Sequence, residues 1–247
     1  MLRVRPIHFT SRVEAFLPLL DALGLVNDLA EQDWLEFSAG QGRLALHRVE
    51  AQSADDGVTY LGFEARDLEV FASRTREAGT QAELIQAAHG PTVQVTGGDG
   101  LQFLVDPSEQ WEATAGANPL LSVNTLWYTS DVAGAAQDLR NIGAIPVATA
   151  INGRVDDFTA KNGGKILVHT APTPRHGELG FGYLGALEEL QEQLSQRGFT
   201  SHIIDETYGR TLHLPNPDFQ ELPNNPTGPT IWINEENQTD NYGYLKH

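Results

Sequence analysis

No cysteine occurs in the 247 residues. That absence removes disulfides, thiolate nucleophiles, iron–sulfur clusters and Cys-type zinc sites together. Basic residues are also scarce. Lys and Arg number 16 against 33 Asp and Glu, for a formal net charge of −17. An acidic surface repels phosphate backbones, so neither nucleic acid nor anionic membrane is expected as a partner, and the plainest role of the acidity is solubility. No run approaches the ~18 consecutive apolar residues of a membrane span, and the opening Met1-Leu2-Arg3-Val4-Arg5-Pro6 lacks the apolar stretch of a signal peptide. A cytoplasmic protein is expected. Two chemical signatures are missing as well. There is no Gly-x-Ser-x-Gly nucleophile elbow. The stretch Gly97-Gly98-Asp99-Gly100 lies between strand-like segments rather than ahead of a helix, so it reads as a hairpin turn and not a phosphate loop.

What is present is a repeat. Apolar residues make up 40% of the chain, enough for a packed core, and the length suits two domains of ~100–150 residues. Four segments share one plan: an apolar strand, a capping residue, an amphipathic helix and a Gly. They begin at Ile7-His8-Phe9, Tyr60-Leu61-Gly62-Phe63, Thr125-Leu126-Trp127-Tyr128 and Leu179-Gly180-Phe181, and end at Gly24, Gly79, Gly143 and Gly198. Helical stripes run through Phe16, Leu19, Leu20 and Leu23 in the first and through Val132, Ala135, Ala136 and Leu139 in the third. Ser11-Arg12-Val13-Glu14 reads as a capping box, and the four glycines stand where a helix end requires positive φ. The terminal glycines are spaced 55, 64 and 55 positions apart, so units come in pairs and the pairs recur at 119. The same offset carries Thr10 to Thr129, Ser11 to Ser130, Val13 to Val132 and Asp99 to Asp218. Alternating strands follow each helix, as in Trp34 to Ser38, Arg43 to His47, Thr92 to Thr96 and Leu101 to Val105. Each unit therefore reads β-α-β-β-β. The expected fold class is α+β, with four tandem βαβββ units paired into domains at 1–110 and 119–247 across a polar linker from Ser108 to Pro119.

This pattern, with Gly-Asp-Gly or Asn-Pro-Asp turns before the last strands, resembles the vicinal oxygen chelate superfamily, which groups glyoxalase I, bleomycin-resistance proteins and extradiol dioxygenases. The resemblance implies that each pair of units curls into a cleft. It also implies that enzymes of the family place metal ligands on the first and last strands of each unit, whereas resistance proteins use the cleft as a metal-free pocket. Strand alternation then nominates the cleft residues. If Ile7 and Phe9 pack under the helix, His8 faces the cleft. If Leu44 and Leu46 pack, Ala45 and His47 face it. Tyr60 and Gln102 complete the first domain, a poor divalent site with no carboxylate. In the second domain His8 becomes Trp127, His47 becomes His169, Tyr60 becomes Glu178 and Gln102 becomes Glu221. His213 also faces the cleft. The closing strand can alternatively be Thr230-Ile231-Trp232-Ile233, which brings Trp232 in. His176 and His202 are expected at the surface. The leading expectation is a small-molecule binding protein with no cofactor and an aromatic-lined cleft. The alternative is a lyase, isomerase or dioxygenase with a divalent metal on His169, Glu178 and Glu221 of the second domain. Without a metal, those carboxylates beside the Trp127 indole favour a cationic ligand. A second chain as homodimer partner is left open.

Overall fold

A computed structural model describes residues 1–112, 114–219, 230–237 and 242–247. The first unit runs β1 (Leu2–Val4), β2 (Ile7–Thr10), α1 (Val13–Leu23), β3 (Val26–Ala30), β4 (Trp34–Ser38) and β5 (Arg43–Arg48). A short β6 (Thr59–Tyr60) leads to the second unit, β7 (Gly62–Ala65), α2 (Leu68–Ala78), β8 (Gln81–Ala87), β9 (Gly90–Thr96) and β10 (Gln102–Pro107). The second half repeats the order with β11 (Leu121–Thr129), α3 (Val132–Asn141), β12 (Ile145–Ala150), β13 (Val155–Thr159) and β14 (Lys165–Thr170). Then come β15 (Arg175–His176), β16 (Gly180–Tyr183), α4 (Leu187–Gln196), β17 (His202–Glu206), β18 (Gly209–Pro215), β19 (Thr230–Glu235) and β20 (Tyr244–Lys246).

In every unit the first strand lies parallel to the last and the three strands after the helix form an antiparallel meander. The helix is the crossover that a parallel pair requires. Successive units join through their first strands: β1 pairs with β7, and the N-terminal part of β11 pairs with β16. β11 is one continuous strand, whereas its counterpart is split into β1 and β2 at Arg5-Pro6. Pro6 has no N–H to give to a ladder.

Each helix buries its apolar stripe on one face of its sheet. Val13, Phe16, Leu19, Leu20 and Leu23 of α1 are buried, and so are Val132, Ala135, Ala136 and Leu139 of α3. The terminal glycines take positive φ, between 82° and 109°. The capping box at Ser11 does not form. Arg12 is the N-cap and its side chain caps nothing, because the Ser11 hydroxyl and amide instead bond to Asp56 across the loop before β6. The closing strand of the last unit is Thr230–Glu235, the alternative raised from the sequence.

The two halves interlock. The Gly40-Gln41-Gly42 turn of the first half docks on β11, with the Gln41 amide donating to the Leu121 carbonyl at 3.0 Å and the Val123 amide donating to the Gln41 carbonyl at 2.8 Å. The equivalent turn, Asn162-Gly163-Gly164, docks on β1, with Asn162 donating to the Leu2 carbonyl at 2.9 Å and Val4 donating to Gly163 at 3.0 Å. Gly164 adopts φ of 88°, and a side chain there would run into Val4. Among the described residues no helix is long and apolar enough to cross a membrane.

Candidate functional site

The face opposite the helices is concave in both halves, and strand alternation assigns its residues. On β1 and β2, Leu2 and Val4 lie in the core. Arg3 and Arg5 therefore face the concave side, and the alternation continues into Ile7 and Phe9, which line the first cleft. His8 points the other way, against the sequence expectation. It is 1% exposed, its ring lies 4.8 Å from Phe16 of α1, and its nitrogens contact the Thr59 hydroxyl at 2.9 Å and the Asp218 carboxylate at 2.8 Å. Trp127 departs from expectation in the same way. It is fully buried beside Phe103, and its indole N–H donates to Asp99 at 2.9 Å. Apolarity misled here. Phe9 reads as a core residue because it is apolar, yet the cleft wall is itself aromatic, and the buried polar His8 is satisfied by hydrogen bonds.

The first-half cleft encloses about 850 Å³, a size that suits a drug-sized molecule. Its walls are the rings of Phe9, Trp34, Tyr60, His47, His89 and His176 with the aliphatic Ile7, Leu61 and Leu104. His47 packs between Phe9, 5.0 Å away, and Trp34, 5.5 Å away. Tyr60 lies 5.0 Å from Phe9 and donates its hydroxyl to Asp55 at 2.6 Å, a bond that with burial pushes the phenol up to about 12. Gln102 is exposed on this face and reaches Thr96 at 3.5 Å.

Behind the walls, against Trp34 and His89 rather than lining the space itself, lies a buried ionic floor. Arg3 reaches Glu64 at 2.5 Å, and Arg43 reaches Glu36 at 2.8 Å and Glu64 and Asp28 at 3.2 Å each. Arg5 pairs with Asp106 and lies 3.5 Å from Glu36. Burial alone would raise the Asp106 carboxyl, but Arg5, then the Thr92 hydroxyl and His89, hold it below the ordinary carboxylate range. Every carboxylate of the floor thus already faces a guanidinium.

The second-half cleft is more polar, with a space of about 250 Å³ lined by Asn124, Asp157, Lys165, His169, Glu236 and three tyrosines, Tyr208, Tyr242 and Tyr244, and an adjoining one of about 640 Å³ that shares His169 and the tyrosines. Lys165 pairs with Glu236 at 3.1 Å, and Ser122 donates to the same carboxylate at 2.6 Å. Burial pulls His169 down to about 4, against the raising influence of Glu178, so this imidazole is neutral. Glu178 is exposed and already engaged, accepting from Tyr128 at 3.1 Å and pairing with Arg175 at 3.1 Å. His213 and Trp232 sit opposite each other on β18 and β19 of the concave face, where His213 bonds to Thr230 at 2.8 Å. Glu221 lies outside the described residues. The parallel register pairs Gly62 with Leu104 and Gly180 with Trp232, so Trp232 is the counterpart of Leu104, and Gln102 corresponds to Thr230 rather than to Glu221.

Among the described residues no group of three or more His, Cys, Asp or Glu side chains is placed to hold a metal ion. In the first half arginines pair the buried carboxylates, and in the second Lys165 pairs with Glu236 and Arg175 with Glu178. The sequence reading missed Phe9, Trp34, His89 and His176 as cleft residues. Trp34 was legible, because Leu35 and Phe37 mark the core parity of its strand. His176 was not, because it comes from the other half.

No protein-family model matches the sequence, and no curated relative is similar to it. Solved structures do match the fold. A catechol 2,3-dioxygenase is 15% identical over 94% of this chain and 91% of its own, with a TM-score of 0.56. The Mn(II)-bound glyoxalase from Novosphingobium aromaticivorans is 13% identical over 96% of this chain and 81% of its own, with a TM-score of 0.60. The 2,3-dioxygenase LapB from Pseudomonas sp. KL28 is 15% identical over 94% and 90%, with a TM-score of 0.61. The chain shares the fold of these dioxygenases and this glyoxalase.

Proposed function

We propose that this chain is a small-molecule binding protein that works without a metal, and that its ligand lies in the first-half cleft between Phe9, Trp34, Tyr60 and His176. The observation that carries this reading is the ionic floor. A divalent ion binds where anionic or imidazole donors converge unpaired. Here Arg5 and Arg43 pair the buried carboxylates Asp106 and Glu36 behind the cleft wall, with the Arg5 guanidinium 5.2 Å from the Trp34 ring. Flat apolar walls with a few polar groups favour a planar ligand of modest polarity.

The reading is tested with planar aromatic probes such as fluorene and 9-fluorenone, with binding followed by equilibrium dialysis. Binding is expected to be the same with and without chelator, and to weaken at least about tenfold on Trp34→Ala, which removes a wall. Stoichiometric iron, manganese or zinc in protein purified without chelators, or binding lost on chelation, would overturn it.

A second reading is a metal-dependent lyase, isomerase or dioxygenase acting from the second half. It is favoured by one observation, a neutral His169 on the concave face beside Tyr128 and Tyr208. Ring-cleaving activity restored by added Fe(II) or Mn(II), and lost on His169→Ala, would establish it.

A further inference from the structure

His176 belongs to β15 of the second half, yet its ring lies in the wall of the first-half cleft, 4.6 Å from Tyr60. The backbone N–H of Leu61 donates to its Nδ1 at 3.1 Å. An amide N–H can only donate, so Nδ1 is the unprotonated nitrogen and the proton of the neutral ring is on Nε2. Burial pulls this imidazole down to about 4, which keeps it neutral through the physiological range. Nε2 has no hydrogen-bond partner among the described residues.

Several other polar groups around the space are engaged, while His47 meets Phe9 and Trp34 ring to ring. Tyr60 donates to Asp55, the Trp34 indole donates to Glu36 at 3.2 Å, His89 contacts Asp106 at 2.9 Å, and Asp99 accepts from Trp127 and from the amide of Leu101. A fixed donor without an acceptor, set in an aromatic wall, is a polar group left for the ligand to satisfy. A charged ligand would find no free counter-charge among these engaged groups, and burying its charge would be costly.

We propose that His176 determines the specificity of the first-half cleft: its Nε2–H donates to an oxygen acceptor on an uncharged planar aromatic ligand, such as an aryl ketone or quinone. This rests on the proposed metal-free binding in that cleft and specifies its ligand class. It also makes the site a joint product of the two halves, because the donor crosses from the second.

The discriminating pair is 9-fluorenone and fluorene, near-isosteric planar molecules that differ at the carbonyl. The wild type is expected to bind 9-fluorenone about tenfold tighter or more, because fluorene leaves the donor unpaired. His176→Phe should lose the preference, with the ratio of the two affinities falling to about one. Independently of any variant, the Nε2 resonance of His176 in the nitrogen-15 spectrum of the wild type should shift with 9-fluorenone and stay in place with fluorene. If the wild type binds both equally, or if the preference exists while the His176 resonance is unmoved, the inference is overturned and the cleft reading stands. If neither molecule binds, the cleft reading fails as well. Should His176→Phe not fold, the wild-type affinities and resonance decide.

Discussion

Asp157 shows how a single side chain couples the second cleft to pH. Burial pushes its carboxyl up to about 7, with Asp156 and Glu236 adding to the rise and Lys165 opposing it. An acid whose pKa is raised by folding keeps its proton longer in the native state. Between its ordinary value of 3.8 and about 7 the native protein therefore binds more protons than the unfolded chain, and stability falls as pH rises through that window. Asp157→Asn removes the titration. Wild type and variant should melt alike near pH 4, and at pH 8 the variant should be the more stable by on the order of a few kcal/mol. Parallel melting curves across the whole range would show that the carboxyl is already ionised at neutral pH in the wild type. Nothing in the sequence around Val155-Asp156-Asp157-Phe158 singles this residue out. Its neighbours are Lys165 of β14 and Glu236 just past β19, and the shift is a product of their convergence.

At the scale of the element, the strands that open each unit set which side chains reach a cleft. In β16 the concave positions are Gly180 and Gly182, and the ring of Trp232 on the neighbouring parallel strand lies directly over Gly180. A methyl group at Gly180 would occupy the space of that ring. Gly180→Ala is therefore expected to destabilise by about 1–3 kcal/mol in urea titration and to change the near-ultraviolet dichroism of the tryptophans. An unchanged midpoint would mean that the ring can swing away freely. The repeated Gly before Phe in Gly62-Phe63 and Gly180-Phe181 was visible in the sequence, and so was the existence of each strand. The phase of the first strand was not. Ile7-His8-Phe9 alternates apolar and polar, which normally marks the polar residue as outward. Here both faces are buried, one by a helix and one by a cleft, so apolarity could not tell them apart.

At the scale of the molecule, the halves are locked by paired contacts that obey the 119-residue offset. Asp99 in the turn before β10 accepts from Trp127 of the other half, and its counterpart Asp218 accepts from His8 at 2.8 Å and from Thr10 at 2.5 Å. Together with the two docked glycine turns, these contacts make one half part of the other's core boundary. Asp99→Ala leaves the Trp127 indole N–H buried without its acceptor and should cost about 1–3 kcal/mol. Unfolding of the wild type should be a single transition, with tryptophan fluorescence and far-ultraviolet dichroism coincident. Two separated transitions would show instead that each half folds alone.

The sequence by itself determined the unit, its βαβββ order, the glycine ends of the helices and the register of the duplication. These rest on local physics: hydrophobic periods of 3.6 and 2, and backbone angles that glycine accepts most readily. Only the tertiary structure decided which face of the first strand is the cleft, that arginines pair the carboxylates behind its wall, and that His176 crosses over to line it. Those outcomes depend on charges and rings brought together from residues 3 to 176, and on a pairing energy that exists only after the sheets have curled around them. A ladder of alternating side chains carries no mark of what will stand opposite it.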